Sequence, residues 1–213
     1  MKKLDIVLAS ASPRRREILE TFGVPFRIVI SDAEENASET LSPDEFVMQT
    51  AHEKCKNVVE KLRADGTLAR NTLVIACDTV VVYSGFIIGK PKDESHAILT
   101  LGMLSDSWHS VFSGLAIHYK GRISCRAART DVKFRDISEA EIKAYVDSGE
   151  PMGKAGSYAI QMKGGAFVER IEGEFNNVVG LPVAEMLSLL REEFGLELLD
   201  IALYERRGNH ADT

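Results

Sequence analysis

Ser10-Ala11-Ser12-Pro13-Arg14-Arg15-Arg16 carries an apolar strand into a helix N-terminus through small residues and then sets three arginines in the first turn. Free backbone N–H groups and the helix dipole at that end favour an anion. Consecutive cations there oppose the dipole and repel one another, so a bound anion is the natural compensation, although a solvated basic turn would look the same in sequence. Arg15 also shares an apolar stripe with Ile18, Leu19 and Phe22. Lys54 repeats this on a second helix, in line with Val47, Ala51 and Val58. Such a lysine either snorkels to the stripe's edge or brings its ammonium into a cleft. Asp78, with Thr79, stands between the apolar runs Leu73 to Cys77 and Val80 to Val82. A buried carboxylate is costly unless paired or metal-bound, and burial tunes it toward general-base work. A turn between two strands is the plainer reading. Lys90 is held between Gly89 and Pro91, a weak signal taken alone.

As a set, Arg14, Arg15, Lys54 and Lys90 supply cations, and Glu35 and Asp78 supply carboxylates. Polyphosphate hydrolysis needs this combination: cations and a divalent metal screen the phosphates while a carboxylate activates water.

The elements that must position these groups follow from periodicity and punctuation. Asp5 to Ala9 predicts a buried strand, Ser12-Pro13 the start of a helix running to about Phe22 and stopping at Gly23, and Phe26 to Ile30 a second strand. Ser42-Pro43-Asp44-Glu45 is a capping box with proline at the first helical position, opening a helix to about Leu62. Leu73 to Tyr83 and Phe86 to Ile88 form a hairpin through Ser84-Gly85, and Asp93 to Leu104 is helical. Trp108 to Tyr119 and Ile123 to Phe134 are long strands joined at Lys120-Gly121, and Ser138 to Glu141 caps a helix ending near Gly149. Short strands are expected at Tyr158 to Gln161 and Ala166 to Ile171, and Pro182 opens a final amphipathic helix to about Phe194. Hairpins mixed with crossovers predict an α/β fold: a mixed, twisted sheet flanked by helices, in two lobes around a deep cleft. One domain over residues 1–213 is expected, with its core at about 4–198 and a frayed tail at 204–213.

Composition narrows the function classes. A chain of 213 residues with 45% hydrophobic and 27% charged content can bury a sizeable core, which argues against disorder. A net charge of -6 disfavours a sequence-independent nucleic-acid binder. No apolar run approaches the ~20 residues of a membrane span. The arginines that follow Ile6 to Ala11, without a cleavage-site pattern, make a secretory signal unexpected. Cys55, Cys77 and Cys125 are widely spaced and odd in number, which suits reduced thiols in a cytoplasmic protein.

Several segments resemble the Maf family of septum-formation-inhibitor-like proteins. Ser10-Ala11-Ser12-Pro13-Arg14-Arg15 is similar to its Ser-x-Ser-Pro-Arg-Arg hallmark, Cys77-Asp78-Thr79 to its Ala-Asp-Thr block (with cysteine for alanine), and Gly89-Lys90-Pro91 to its Lys-Pro element. Lys154-Ala155-Gly156-Ser157-Tyr158-Ala159-Ile160-Gln161 resembles its Lys-Ala-Gly-x-Tyr-x-Ile-Gln block, and Asn177-Val178-Val179-Gly180-Leu181-Pro182 its Val-Val-Gly-Leu-Pro signature. The blocks stand in family order between Leu4 and Leu198. The resemblance implies a cleft fold similar to the inosine triphosphate pyrophosphatases. It also implies cleavage of a nucleoside triphosphate between its α- and β-phosphates, a divalent metal (Mg²⁺ or Mn²⁺) and commonly a homodimer. Carried onto this chain, it makes Asp78 the proton acceptor and has Ser10, Arg14, Arg15 and Lys54 hold the triphosphate. Lys90 and Glu35 then lie beside the metal and the scissile phosphate, with Glu35 and Asp78 as metal ligands. Arg14, Thr79 and Gln161 match substrate-selecting positions of the branch acting on dTTP and UTP, and the arginine at 14 disfavours the sister branch that prefers 7-methyl-GTP. A nucleotide-binding regulator of cell division without catalysis is the alternative from another class.

Overall fold

The computed structural model describes residues 4–33 and 41–199. One seven-stranded mixed sheet runs through it, in the order β2 (Phe26–Ile28), β1 (Asp5–Leu8), β3 (Thr72–Tyr83), β5 (Trp108–Tyr119), β6 (Arg122–Phe134), β7 (Val168–Glu172), with β4 (Phe86–Ile88) also paired to β3. β1 is parallel to both its neighbours, and every other pairing is antiparallel. The parallel pair β1 and β2 is bridged by α1 (Pro13–Glu20), and tight turns join β3 to β4 and β5 to β6.

Alternation along β3 distributes its side chains between two cores. Leu73, Ile75, Cys77 and Val81 join the larger core with α1, α3 (Glu94–Leu104), α4 (Glu139–Asp147) and α6 (Val183–Phe194). Val74 and Ala76 face the other way, against α2 (Pro43–Ala64), whose Ala51, Cys55, Val58 and Leu62 fill the second core. The expected capping box starts α2: both the backbone N–H and the hydroxyl of Ser42 donate to Glu45, at 3.1 and 2.6 Å. None of the described helices is long and apolar enough to cross a membrane.

Two local expectations are corrected. Tyr158 to Gln161 is not a strand: it lies in irregular chain between short 3-10 turns at Ala155–Ser157 and Lys163–Phe167. Tyr158, Ala159 and Ile160 are all buried, so no alternation distinguishes two faces, and the Ala159 N–H donates to the Tyr145 hydroxyl rather than to a strand. The second correction is a short helix, α5 (Phe175–Val179), where no element was expected. Its Asn177 is fully buried, with its amide donating to the Val111 carbonyl and the Thr130 hydroxyl. The expected frayed tail lies outside the described residues.

Candidate active site

β1 stops pairing with β3 at Ile75, and the pairing of β3 with β4 begins at Val81. Between them the β3 edge at 76–80 has no strand beside it among the described residues, and a cleft of ≈ 620 Å³ opens over this gap. It lies off the carboxyl end of a parallel strand, where α/β sheets present ligand sites. Since alternate side chains leave opposite faces of a strand, Asp78 and Thr79 reach the cleft from opposite sides of β3.

Asp78 points toward α2. Its Oδ1 accepts a hydrogen bond from Lys54 Nζ at 2.7 Å, with only 12% and 14% of the two side chains exposed. The lysine on the apolar stripe therefore does not snorkel outward; it reaches the floor of the cleft. Oδ2 of Asp78 accepts no hydrogen bond among the described residues.

Thr79 points to the other face and meets Arg15. Each guanidinium nitrogen of Arg15 donates to a different segment: Nε to the Gly180 carbonyl at 2.8 Å, Nη1 to Ser10 Oγ at 3.2 Å and Nη2 to Thr79 Oγ1 at 3.1 Å. Ser10 Oγ also accepts from the Ser12 N–H at 3.2 Å, which leaves the Ser10 hydroxyl proton to donate into the cleft. Thr79 lies 2.8 Å from Ser113 Oγ, so its hydroxyl is engaged within the wall. Gly180 is a hub: its carbonyl also accepts from the Cys77 thiol at 3.2 Å, in a backbone conformation with φ 126° that only glycine takes readily. Burial pushes the Cys77 thiol up, so it stays protonated and is no nucleophile beside Asp78.

The three consecutive arginines separate by the 100° turn of the helix. Arg16 points to solvent and pairs with Glu20 at 2.7 Å. Arg14 turns half-buried into the cleft, where burial and then the charge of Arg15 lower its pKa. Lys154 lines the same cleft, its pKa lowered by burial and then by Arg14, and donates to the Glu150 carbonyl. Lys90 stands at the exposed rim, without a hydrogen bond or ion pair among the described residues, and the Gln161 amide is likewise unengaged. Among the described lining residues Asp78 is the one carboxylate.

A model of the family described as Maf-like protein matches residues 5–193. The chain belongs to the Maf family. Three relatives bear the name dTTP/UTP pyrophosphatase. The one from Dictyoglomus turgidum is 46% identical over 198 residues, covering 92% of this chain and 98% of the relative. Those from Bacillus cereus and Alkaliphilus oremlandii are 43% and 42% identical, covering 90% and 91% of this chain and 90% and 98% of theirs. Among solved structures, a nucleoside-triphosphatase / dITP/XTP pyrophosphatase from Mycobacterium abscessus overlaps in part, with TM-score 0.38, 18% identity and coverage of 63% of this chain and 76% of that one.

Of the residues singled out by the Maf motifs, Ser10, Arg14, Arg15, Lys54, Asp78, Thr79, Lys90 and Gln161 all border this one cleft. Glu35 lies outside the described residues. Sequence reasoning gave no role to Lys154 or Ser113. Lys154 stood in plain sight between Gly153 and Gly156, whereas nothing in the alternation of β5 marks Ser113 as the partner of Thr79.

Proposed function

We propose that this chain hydrolyses dTTP and UTP to the nucleoside monophosphate and pyrophosphate, with Asp78 as proton acceptor. The observation that carries the reading is the Lys54-paired Asp78 carboxylate on the floor of a cleft whose other charged side chains, among the described residues, are Arg14, Arg15, Lys54, Lys90 and Lys154. The names borne by the relatives support the substrate class.

The chemistry balances within this set. Asp78 Oδ2 takes a proton from water as its oxygen bonds the α-phosphorus; the bond from that phosphorus to the bridging oxygen breaks, and pyrophosphate leaves with the electron pair. Lys54 orients the carboxylate through Oδ1. Arg14, Lys90, Lys154 and the Ser10 hydroxyl meet the phosphate oxygens, and the repulsion between the clustered cations is relieved when the polyanion enters. Arg15, with three of its five N–H groups committed to the wall, keeps the cleft's sides in register. Gln161 reads the pyrimidine edge, because an amide both donates and accepts.

A divalent cation belongs to the reading. Asp78, with Glu35, would hold it. Mg²⁺ usually takes one or two carboxylates plus phosphate oxygens, a donor set that a single cleft carboxylate and a triphosphate fit; among the described residues no group of three or more His, Cys, Asp or Glu gathers, in the cleft or outside it. When bound, the ion screens the phosphates and polarises the reacting oxygens. The reading also takes the protein to be cytoplasmic and homodimeric; fractionation and sedimentation analysis test these points.

The deciding experiment incubates the protein with Mg²⁺ or Mn²⁺ and dTTP, UTP, CTP, GTP, ITP or 7-methyl-GTP, and quantifies monophosphate and pyrophosphate. Turnover of dTTP and UTP is expected, with kcat down at least ~100-fold in Asp78→Asn, the order of a lost general base. Preference for 7-methyl-GTP would keep the chemistry and overturn the pyrimidine assignment. Tight binding without turnover under either metal would favour the non-catalytic regulator.

A further inference from the structure

The Gln161 amide has no partner of its own among the described residues, yet it must hold a fixed place to read a base. What holds the chain on either side of it is a buried carboxylate outside the cleft, Glu150, which follows α4 and is 8% exposed. Glu150 Oε1 accepts from the Tyr145 hydroxyl at 2.9 Å and from the Gly164 N–H at 3.0 Å, and Oε2 accepts from the Lys163 N–H at 3.3 Å. The Tyr145 oxygen in turn accepts from the Ala159 N–H at 3.2 Å. The two sides of the loop, Ala159 before Gln161 and Lys163-Gly164 after it, are thus tied to one carboxylate. A turn closes between them, with the Met162 N–H donating to the Ala159 carbonyl at 3.1 Å, and Gln161 sits inside that turn. From the same residue the Glu150 carbonyl accepts from Lys154 Nζ, which joins the phosphate-facing cation to the clamp.

We infer that Glu150 is a positioning residue for nucleobase selection: through Tyr145 and the amides of Ala159, Lys163 and Gly164 it clamps the turn that presents Gln161 to the base. This rests on the reading above that Gln161 meets the base. A buried carboxylate is expensive unless every partner is in place, so an all-or-none clamp is a physical consequence of burying it here. Aimed amides that would otherwise be loop donors give the turn one geometry.

The test compares wild type with Glu150→Ala, Glu150→Gln and Tyr145→Phe. It uses dTTP, UTP and CTP as substrates and inorganic tripolyphosphate, which has no base, as competitive inhibitor. Glu150→Ala is expected to raise KM for dTTP and UTP about tenfold, the size of one lost net hydrogen bond at its upper range, and to erode the preference over CTP by a similar factor. Its inhibition by tripolyphosphate stays within about twofold of wild type, because Lys154 is held by the backbone carbonyl of residue 150, which alanine retains, and the other phosphate-facing side chains do not touch Glu150. Glu150→Gln retains an acceptor for Tyr145 and Gly164 and recovers most of the preference. Hydrogen exchange at the Ala159, Lys163 and Gly164 amides accelerates in step with the loss. Should Glu150→Ala fail to fold, Tyr145→Phe, which removes only the bridging oxygen, carries the same expectation. Faster exchange with wild-type preference would overturn the inference, as would an equal loss for dTTP, CTP and tripolyphosphate. If the wild type turns over neither dTTP nor UTP, the functional reading fails, and unchanged exchange in Glu150→Ala then overturns the clamp separately.

Discussion

Arg15 is the residue on which the cleft depends most directly, because one planar group joins the chain after β1, the middle of β3 and the loop before α6. A guanidinium presents donors in a fixed fork; a lysine ammonium is a single point on a flexible stem. Hydrogen bonds from a charged donor are worth about 1.5–3 kcal/mol each, so Arg15→Lys, keeping one of three, is expected to lower kcat/KM for dTTP at least tenfold and to reduce the melting temperature. Steady-state kinetics with a thermal melt check this; wild-type kcat/KM would mean that the fork is dispensable. Half of this was legible in sequence. An arginine on an apolar stripe announces that it reaches something internal, but its partner Gly180 lies 165 positions away, and no local pattern connects the two. The same holds for Lys54 and Asp78: each is conspicuous alone, and only the crossing of α2 over β3 brings them together.

That crossing is set at the scale of elements by Gly114. It is in register with Asp78 and so shares its face of the sheet, and a Cβ built on it would lie 2.0 Å from the Val47 carbonyl oxygen of α2. Backbone-to-backbone contact at this point lets α2 lie low enough for Lys54, two turns after Val47, to reach the carboxylate. Gly114→Ala must lift the helix or bend β5. Overpacking of this kind costs about 1–3 kcal/mol or more, and a drop of several degrees in melting temperature is expected. Activity is expected to fall beyond that, because the Lys54 to Asp78 distance is what changes; a stable variant with wild-type kcat would show that the approach is not needed. The elements themselves were largely readable. Period-2 strands, the Lys120-Gly121 turn and the capping boxes at Ser42 and Ser138 are local signals that tertiary packing reinforces. The failure at Tyr158 to Gln161 has a specific cause: Tyr158, Ala159 and Ile160 are buried and the turn is held by a side-chain and carboxylate network, which has no sequence period.

At the scale of the whole molecule, a buried histidine backs the cleft-lining Tyr158 and ties it to the sheet. His109, on β5, is 2% exposed, packs edge-on against Phe134 and Tyr158 with ring centroids 4.8 and 5.4 Å apart, and shares a 2.8 Å hydrogen bond with the Tyr158 hydroxyl. Its Nδ1 has no hydrogen-bond partner among the described residues, so a proton added there would be left unsatisfied. Burial lowers its pKa from 6.5 to about 4, against the opposing pull of Asp131. With the folded pKa below the unfolded one, the stability due to neutral His109 is complete above about pH 6.5 and is lost as the pH falls from there toward 4, because only the unfolded chain takes up the proton. The loss runs at up to about 1.4 kcal/mol per pH unit, a sizeable part of a typical 5–15 kcal/mol. Carboxylates held low by partners, such as Glu141 at about 2 beside Arg135, lose their contribution only at lower pH. Urea unfolding at pH 7.5 and 4.8 therefore spans the histidine range, and comparison with His109→Gln cancels the other shifted groups, His118, which burial also lowers, and Glu174, which burial raises. The variant, neutral at both pH values, is expected to start weaker and to lose about 2 kcal/mol less on acidification. An equal loss in both proteins would place the proton uptake elsewhere. Tyr158 lines the cleft and precedes the Gln161 turn, so over this pH range the folded protein keeps His109 neutral and the base-facing wall in place, and protonation reaches that wall only near or below pH 4.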